Sequence, residues 1–395
     1  MSICEPLGFK ASGIASGIKA SGDLDLALIA TEDRNAVATV GVFTSNEAKA
    51  APVLVSLEHL EKSSNMSCAV ILNSGNANAA TGPSGRDVSR NTAKLVANEL
   101  GVKTHEVLVC STGLIGIPLD IGPIENSVTR LVSELDSTNE ASDMAAKAIL
   151  TTDTIKKVAL TRGICESGET YGVAGMAKGA AMLAPSMATM LAVITTDVLL
   201  EVDQMQIALK RAVDMSFNSL IVDGCMSTND TVLLLASGKA GKPKSIEEFE
   251  SQLCLVTHSL AISMAKDAEG STVMAKILVK GALNERQAAK AARQVASSVL
   301  VRCSLYGRDP YWGRVLAELG AARVGIDQEL VSISYGPFEV ARNGIALSHD
   351  EKGLRDYMTK REIEITADLK LGNCEAEIYT ADLTHGYVDE NMGTS

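Results

Sequence analysis

The stretch that most limits how this chain can fold is residues 178–197, KGAAMLAPSMATMLAVITTD. It opens on a cation and small residues, Lys178-Gly179-Ala180-Ala181, and continues through Ala184-Pro185-Ser186-Met187-Ala188. From Thr189 it becomes an unbroken apolar run, Thr189-Met190-Leu191-Ala192-Val193-Ile194, which predicts a buried strand. A small-residue loop thus delivers a threonine onto the first position of a rigid element. If the Ala188–Thr189 bond were cut, Thr189 would carry both a hydroxyl and a free α-amine, the N-terminal-threonine form of activated nucleophile. Such an amine titrates near ~8 and can take the hydroxyl proton at neutral pH, whereas a lysine at ~10.4 would first need heavy desolvation. The bland reading of the same residues is the start of a core strand.

The rest of the chain must supply layers to cover that strand. At 395 residues it exceeds one typical core, so two lobes or one large multilayer domain are expected. Aromatic residues are only 3%, so the core is built from Ala, Val, Leu, Ile and Met. The formal net charge of −12 argues against nucleic acid or an anionic membrane as partner, since either calls for a basic face. Eight cysteines (4, 68, 110, 165, 225, 254, 303 and 374) form no C-x-x-C pair and read as free thiols of a reducing compartment. The five histidines have no metal-ligand spacing. With no signal-like N-terminus and no apolar run of ~18 residues, a soluble, cytoplasmic protein is expected.

Short β-like runs lie at 25–30, 38–43 and 53–56, and a continuous apolar run at 68–73 predicts a buried strand. Helical periodicity marks ~85–100, ~124–136, 143–150, ~201–216, 246–264 and ~284–297. Further strands are expected at 107–111, 156–160, 169–178 and 232–236. Alternating runs at 330–334, 362–366 and 375–379 predict a half-exposed antiparallel sheet. Helices and strands in roughly equal supply make the fold class mixed α/β (α+β). The strand 107–111 ends in Ser111-Thr112-Gly113; there a glycine lets backbone approach a ligand, and its N–H with the Thr112 hydroxyl can face a developing oxyanion. Read alone, the same tripeptide is a turn. Ser74-Gly-Asn-Ala-Asn-Ala-Ala-Thr-Gly82 reads either as a turn satisfied by its own asparagines or as a loop lining a site.

Residues 178–197 resemble the self-processing segment of the ornithine acetyltransferase (glutamate N-acetyltransferase) family of arginine biosynthesis. Residues 40–53 and 68–82 also resemble that family, as does Gly307-Arg-Asp-Pro-Tyr-Trp-Gly-Arg314, with the only tryptophan, Trp312, read as packing. The resemblance implies β-sheets sandwiched between helices, in an N-terminal-nucleophile-hydrolase-like architecture. It implies a self-made cut after Ala188, giving fragments 1–188 and 189–395, with Thr189 as nucleophile and its α-amine as base. Thr112 and Gly113 match the oxyanion hole. Lys178, Thr152 (from Thr151-Thr152-Asp153-Thr154), Glu269, Asn391 and a C-terminal hydroxyl, Ser395 or Thr394, match substrate-binding positions.

The implied reaction moves acetyl from N2-acetylornithine to glutamate by ping-pong chemistry. It needs no cofactor or metal, because an acetyl ester on threonine keeps the group transferable. Some members also use acetyl-coenzyme A. Small molecules are the implied partners, and two copies of each fragment form the implied heterotetramer. The sequence departs from the family at Cys225 and Met226, and at Ala268 and Val273, where a glycine and a lysine are expected. Two rivals follow: a self-processing aminopeptidase or amidase handing its acyl group to water, and a processing-dead binding paralogue.

Overall fold

A computed structural model describes residues 1–182 and 190–393. The first part of the chain runs β1 (Phe9–Ile14), β2 (Leu26–Thr31), β3 (Val37–Phe43), α1 (Ala51–Ser63), β4 (Met66–Ser67), β5 (Ala69–Asn73) and α2 (Gly82–Leu100). It continues through β6 (Val107–Ser111), α3 (Gly122–Ser133), α4 (Asn139–Ala148), β7 (Lys157–Ile164), β8 (Thr170–Lys178), β9 (Leu191–Val198) and α5 (Val202–Met215). Then come β10 (Leu220–Ile221), β11 (Thr231–Gly241), α6 (Ile246–Lys266), β12 (Met274–Ala282), α7 (Glu285–Ser297), α8 (Val299–Tyr306) and α9 (Trp312–Ala321). The last elements are β13 (Ser332–Tyr335), β14 (Phe338–Arg342), β15 (Ile345–Ala346), α10 (Glu351–Met358), β16 (Glu362–Asp368), β17 (Cys374–Ala381) and α11 (His385–Glu390). No helix among the described residues is long and apolar enough to cross a membrane.

The chain divides into two compact units. The first comprises 1–218 and 225–264 and holds two sheets, ordered β1-β2-β5-β6 and β4-β3-β11-β9-β8-β7. Period-two alternation sorts the side chains of the smaller sheet onto two faces. Leu26, Leu28, Ile71, Val107 and Val109 meet Val96 and Ala97 of α2 and Ile124 and Val128 of α3. Ala27, Ile29, Val70, Leu72 and Leu108 meet Met176, Leu191, Val193 and Leu233 of the larger sheet. On the far side of that sheet, α6 lies so close to β8 that a β-carbon on Gly175 would sit 2.9 Å from the Leu260 side chain. The expected sheets between helices are therefore present, and β9 is buried along its whole length.

The second unit, residues 219–224 and 265 onward, holds one sheet ordered β10-β17-β12-β16-β13-β14-β15. Its apolar face, with Ala275, Ile277, Val279 and Ile378, packs against the alanine side of α7 (Ala288, Ala291, Ala292), where small side chains let helix and sheet approach closely. Trp312 packs against this core as expected.

Two expectations need correction. Residues 53–56 are not a strand but the first turns of α1, which begins on Ala51-Pro52 with the proline in its first turn. The sheet of the second unit is mixed rather than antiparallel, because β16 runs parallel to β12 while β13 and β17 pair antiparallel.

Candidate active site

Strands β5 and β6 are parallel neighbours, with Asn73 opposite Ser111, and both open into loops at the same end. The Thr112 N–H donates to the Asn73 carbonyl at 2.9 Å. The Ser111 hydroxyl donates to the Asn73 side chain at 2.6 Å, and the Asn73 amide donates to the Asn76 carbonyl at 2.9 Å. Asn229 donates to the carbonyls of both Ala77 (2.7 Å) and Ser111 (2.9 Å). The asparagines of this loop therefore hold main chain to main chain, and what the loop offers a ligand is backbone. Gly113 has φ +132°, and a β-carbon there would lie 2.3 Å from the Gly75 backbone, so only glycine fits. Beside it the Thr112 hydroxyl is buried without a hydrogen-bond partner among the described residues. A buried orphan hydroxyl costs stability, which makes it a ready donor for an incoming oxygen.

Lys178, the last residue of β8, is buried and donates to the Thr151 hydroxyl at 2.6 Å. Its ammonium also lies 3.7 Å from Asp153, whose carboxylate accepts from the Lys157 ammonium at 2.6 Å and from the Gly179 N–H at 2.7 Å. Burial alone would raise the Asp153 pKa; Lys178, Lys157 and the Gly179 N–H outweigh it and hold the carboxyl down at about 2. Thr152, which the resemblance matches to a substrate-binding position, sits half-buried in the same turn. The neighbouring Thr151 hydroxyl accepts from Lys178.

Three residues that sequence reasoning did not single out join this cluster. Lys19 donates to the carbonyls of Leu150 (2.6 Å) and Leu24 (3.0 Å), and its stem packs where a side chain on Gly75 would be. Burial lowers its pKa, and the positive charge of Lys178 adds to that. Lys19 thus spans from the Thr151 turn to the loop beneath Gly113. Asp153 is the second. Asp230, just before β11, is the third: its Oδ1 accepts from the Met190 N–H at 2.9 Å, while its Oδ2 is buried without a partner among the described residues. Burial pushes its pKa up to about 8, against the opposing pull of the Met190 N–H, Ser227 and Lys178. Asp153 stands four residues before Lys157 and Asp230 inside Ser227-Thr-Asn-Asp-Thr231, but only burial distinguishes them from ordinary turn acids.

Ala188, Thr189, Thr394 and Ser395 lie outside the described residues. In the second unit Asn391 donates to Glu269 at 2.8 Å and to the Tyr387 carbonyl at 2.9 Å, so these two sequence-predicted residues meet. Thr384, which caps α11, donates to the Gly270 carbonyl at 2.7 Å and ties that helix to the Glu269 loop. Val273 is buried in the core of its unit, and its N–H donates to Asp382 at 3.0 Å. Among the described residues no group of three His, Cys, Asp or Glu side chains could hold a metal ion.

The ArgJ family model matches residues 10–393. The arginine biosynthesis bifunctional protein ArgJ of Mycobacterium tuberculosis is 44% identical over 400 residues, covering 100% of this chain and 96% of that protein. Its Geobacter sulfurreducens counterpart is 41% identical over 392 residues, covering 97% and 98%. Among solved structures, an ArgJ protein from Bacillus halodurans aligns with a TM-score of 0.49 and 31% identity over 50% of this chain and 97% of that one. The ornithine acetyltransferase of M. tuberculosis, solved in complex with ornithine, aligns with a TM-score of 0.43 and 44% identity over 47% and 95%. With relatives above 40% identity along essentially the full length, and a family model running from β1 to beyond α11, this chain belongs to the ArgJ family.

Proposed function

We propose that this protein cuts its own chain between Ala188 and Thr189, and that the new N-terminal Thr189 carries acetyl from N2-acetylornithine to glutamate. Family membership makes the chain an acetyltransferase of arginine biosynthesis. The cut, the carrier and the residue roles are our reading. In it the Thr189 hydroxyl attacks the acetyl carbonyl and its own α-amine takes the proton. The tetrahedral oxyanion is met by the Gly113 N–H and the Thr112 hydroxyl. Ornithine leaves with the proton held by the α-ammonium, and an acetyl ester remains on Thr189. The α-amine of glutamate attacks that ester, N-acetylglutamate departs, and the threonine is restored. Lys178 with its neighbouring threonines is the grip for the α-carboxylate shared by both substrates; Glu269, Asn391 and Ser395 are the further binding residues. We read the word bifunctional in the relatives' names as a second donor, acetyl-coenzyme A, and the working unit as two copies of each fragment.

The observation that carries this reading is the Thr112 hydroxyl, buried without a partner among the described residues, beside Gly113 with its φ of +132°. The test is ornithine release from N2-acetylornithine with and without glutamate. Sustained release only with glutamate supports transfer, and equal release without it means that water is the acceptor. Thr189→Ala should yield one uncut chain and no transfer; a fully active Thr189→Ala protein contradicts the mechanism.

A further inference from the structure

Lys178 is one ammonium on a flexible stem, and such a point charge selects a carboxylate only if something fixes where it points. The carboxylate of Asp153 is the group that touches everything around it. Its Oδ1 accepts from Lys157 at 2.6 Å and from the N–H of Gly179, the residue directly after Lys178, at 2.7 Å. Its Oδ2 lies 3.3 Å from the Thr151 N–H and 3.7 Å from the Lys178 ammonium. The Thr151 hydroxyl, carried on that same turn, accepts from Lys178. One buried anion therefore fixes the backbone at the end of β8, the turn that bears the threonine, and the ammonium between them. The side chains of Asp153 and Lys157 are fully buried and that of Lys178 is 3% exposed, so water screens little of this.

We propose that Asp153, clamped by Lys157, is the positioning residue that presents Lys178 to the substrate α-carboxylate and so sets the preference for acetylated α-amino acids over acetylated plain amines. This deepens the transfer reading above and rests on it. Asp153 touches no reacting atom; it acts through Lys178. Its loss should therefore weaken recognition of the carboxylate far more than the chemistry at the acetyl group.

The test uses the full-length purified protein and two donors, N2-acetylornithine and N-acetylputrescine, the latter being the former without its α-carboxylate. For a ping-pong enzyme kcat/KM of the donor reports the first half-reaction alone, so the ratio of the two values isolates the carboxylate. Asp153→Asn should lower that ratio by about ten- to a hundredfold, the scale of a lost charge-assisted contact, mainly through KM for N2-acetylornithine. N-Acetylputrescine turnover should fall far less. An unchanged ratio, whether both donors suffer equally or neither does, overturns the proposal, because a merely structural aspartate would move both together. If Asp153→Asn does not fold, Lys157→Met decides by the same ratio, which must fall once the clamp on Asp153 is gone. A wild-type protein that releases no ornithine from N2-acetylornithine overturns the transfer reading itself, and this inference with it.

Discussion

Thr112 and Asp230 each bury a side-chain oxygen without a hydrogen-bond partner among the described residues, a cost that packing does not explain. The Thr112 hydroxyl is buried without a partner among the described residues, so replacing it with an isosteric apolar group removes a desolvation penalty. Thr112→Val is therefore expected to leave the thermal midpoint unchanged or raised while lowering kcat by ~10²–10³, the loss typical of one oxyanion donor. Parallel melting curves and initial rates check this; a fall in stability with full activity would make Thr112 a structural residue. Asp230 makes a pH prediction. Its folded pKa of about 8 stands above the ordinary 3.8, so the folded state holds a proton that the unfolded chain releases. Its contribution to stability is therefore complete below pH 3.8 and is lost as pH rises toward 8. Asp230→Asn should flatten the dependence of the thermal midpoint over that window, whereas an identical slope in the variant would assign it to other groups.

The elements show what a sequence can carry and what it cannot. The amphipathic helices near 85–100, 124–136, 201–216 and 284–297 were legible because a 3.6-residue stripe survives inspection of the letters alone, and α2, α3, α5 and α7 occupy those places. Val53-Leu54-Val55 misled, being β-branched and apolar, although Pro52 ahead of it was a helix-start signal. The alternation in β16 correctly predicted a half-exposed strand, but period two reports faces and not partners, so its parallel neighbour β12 was invisible. Thr112, Gly113 and Lys178 were singled out by the family resemblance, and the structure buries Thr112 and Lys178. Lys19, Asp153 and Asp230 were not, since a turn lysine and two turn acids acquire meaning only when burial and distance are known. Gly175 belongs to this second kind: nothing in its local sequence shows that Leu260 and Val256 of α6 press on it. Gly175→Val is expected to cost ~1–3 kcal/mol by overpacking, measured as a shift in the denaturant midpoint without a change in its slope.

Across the first unit, the proposed cut has a particular consequence. The link that would be severed joins β8 to β9, which pair antiparallel with Lys178 opposite Leu191. In the sheet order β4-β3-β11-β9-β8-β7, the two strands C-terminal to the cut lie between β3 and β8, which precede it. Fragments 1–188 and 189–395 would thus share one sheet and one core, with ladder hydrogen bonds on both sides of the inserted pair. The boundary of chemistry and the boundary between compact units are different things here, since the units divide near residues 218 and 264. The two fragments are therefore expected to co-migrate in native size-exclusion chromatography and to separate only in denaturant. Separation of folded fragments in native buffer would contradict the interleaving.

The most direct measurement is the intact mass of the fully active protein under denaturing conditions. A chain whose nucleophile is a free N-terminal threonine must give two species, with masses of 1–188 and 189–395. A single 395-residue species in a preparation of full activity would leave the Thr189 hydroxyl without its α-amine base, and the acyl-carrier mechanism would be wrong.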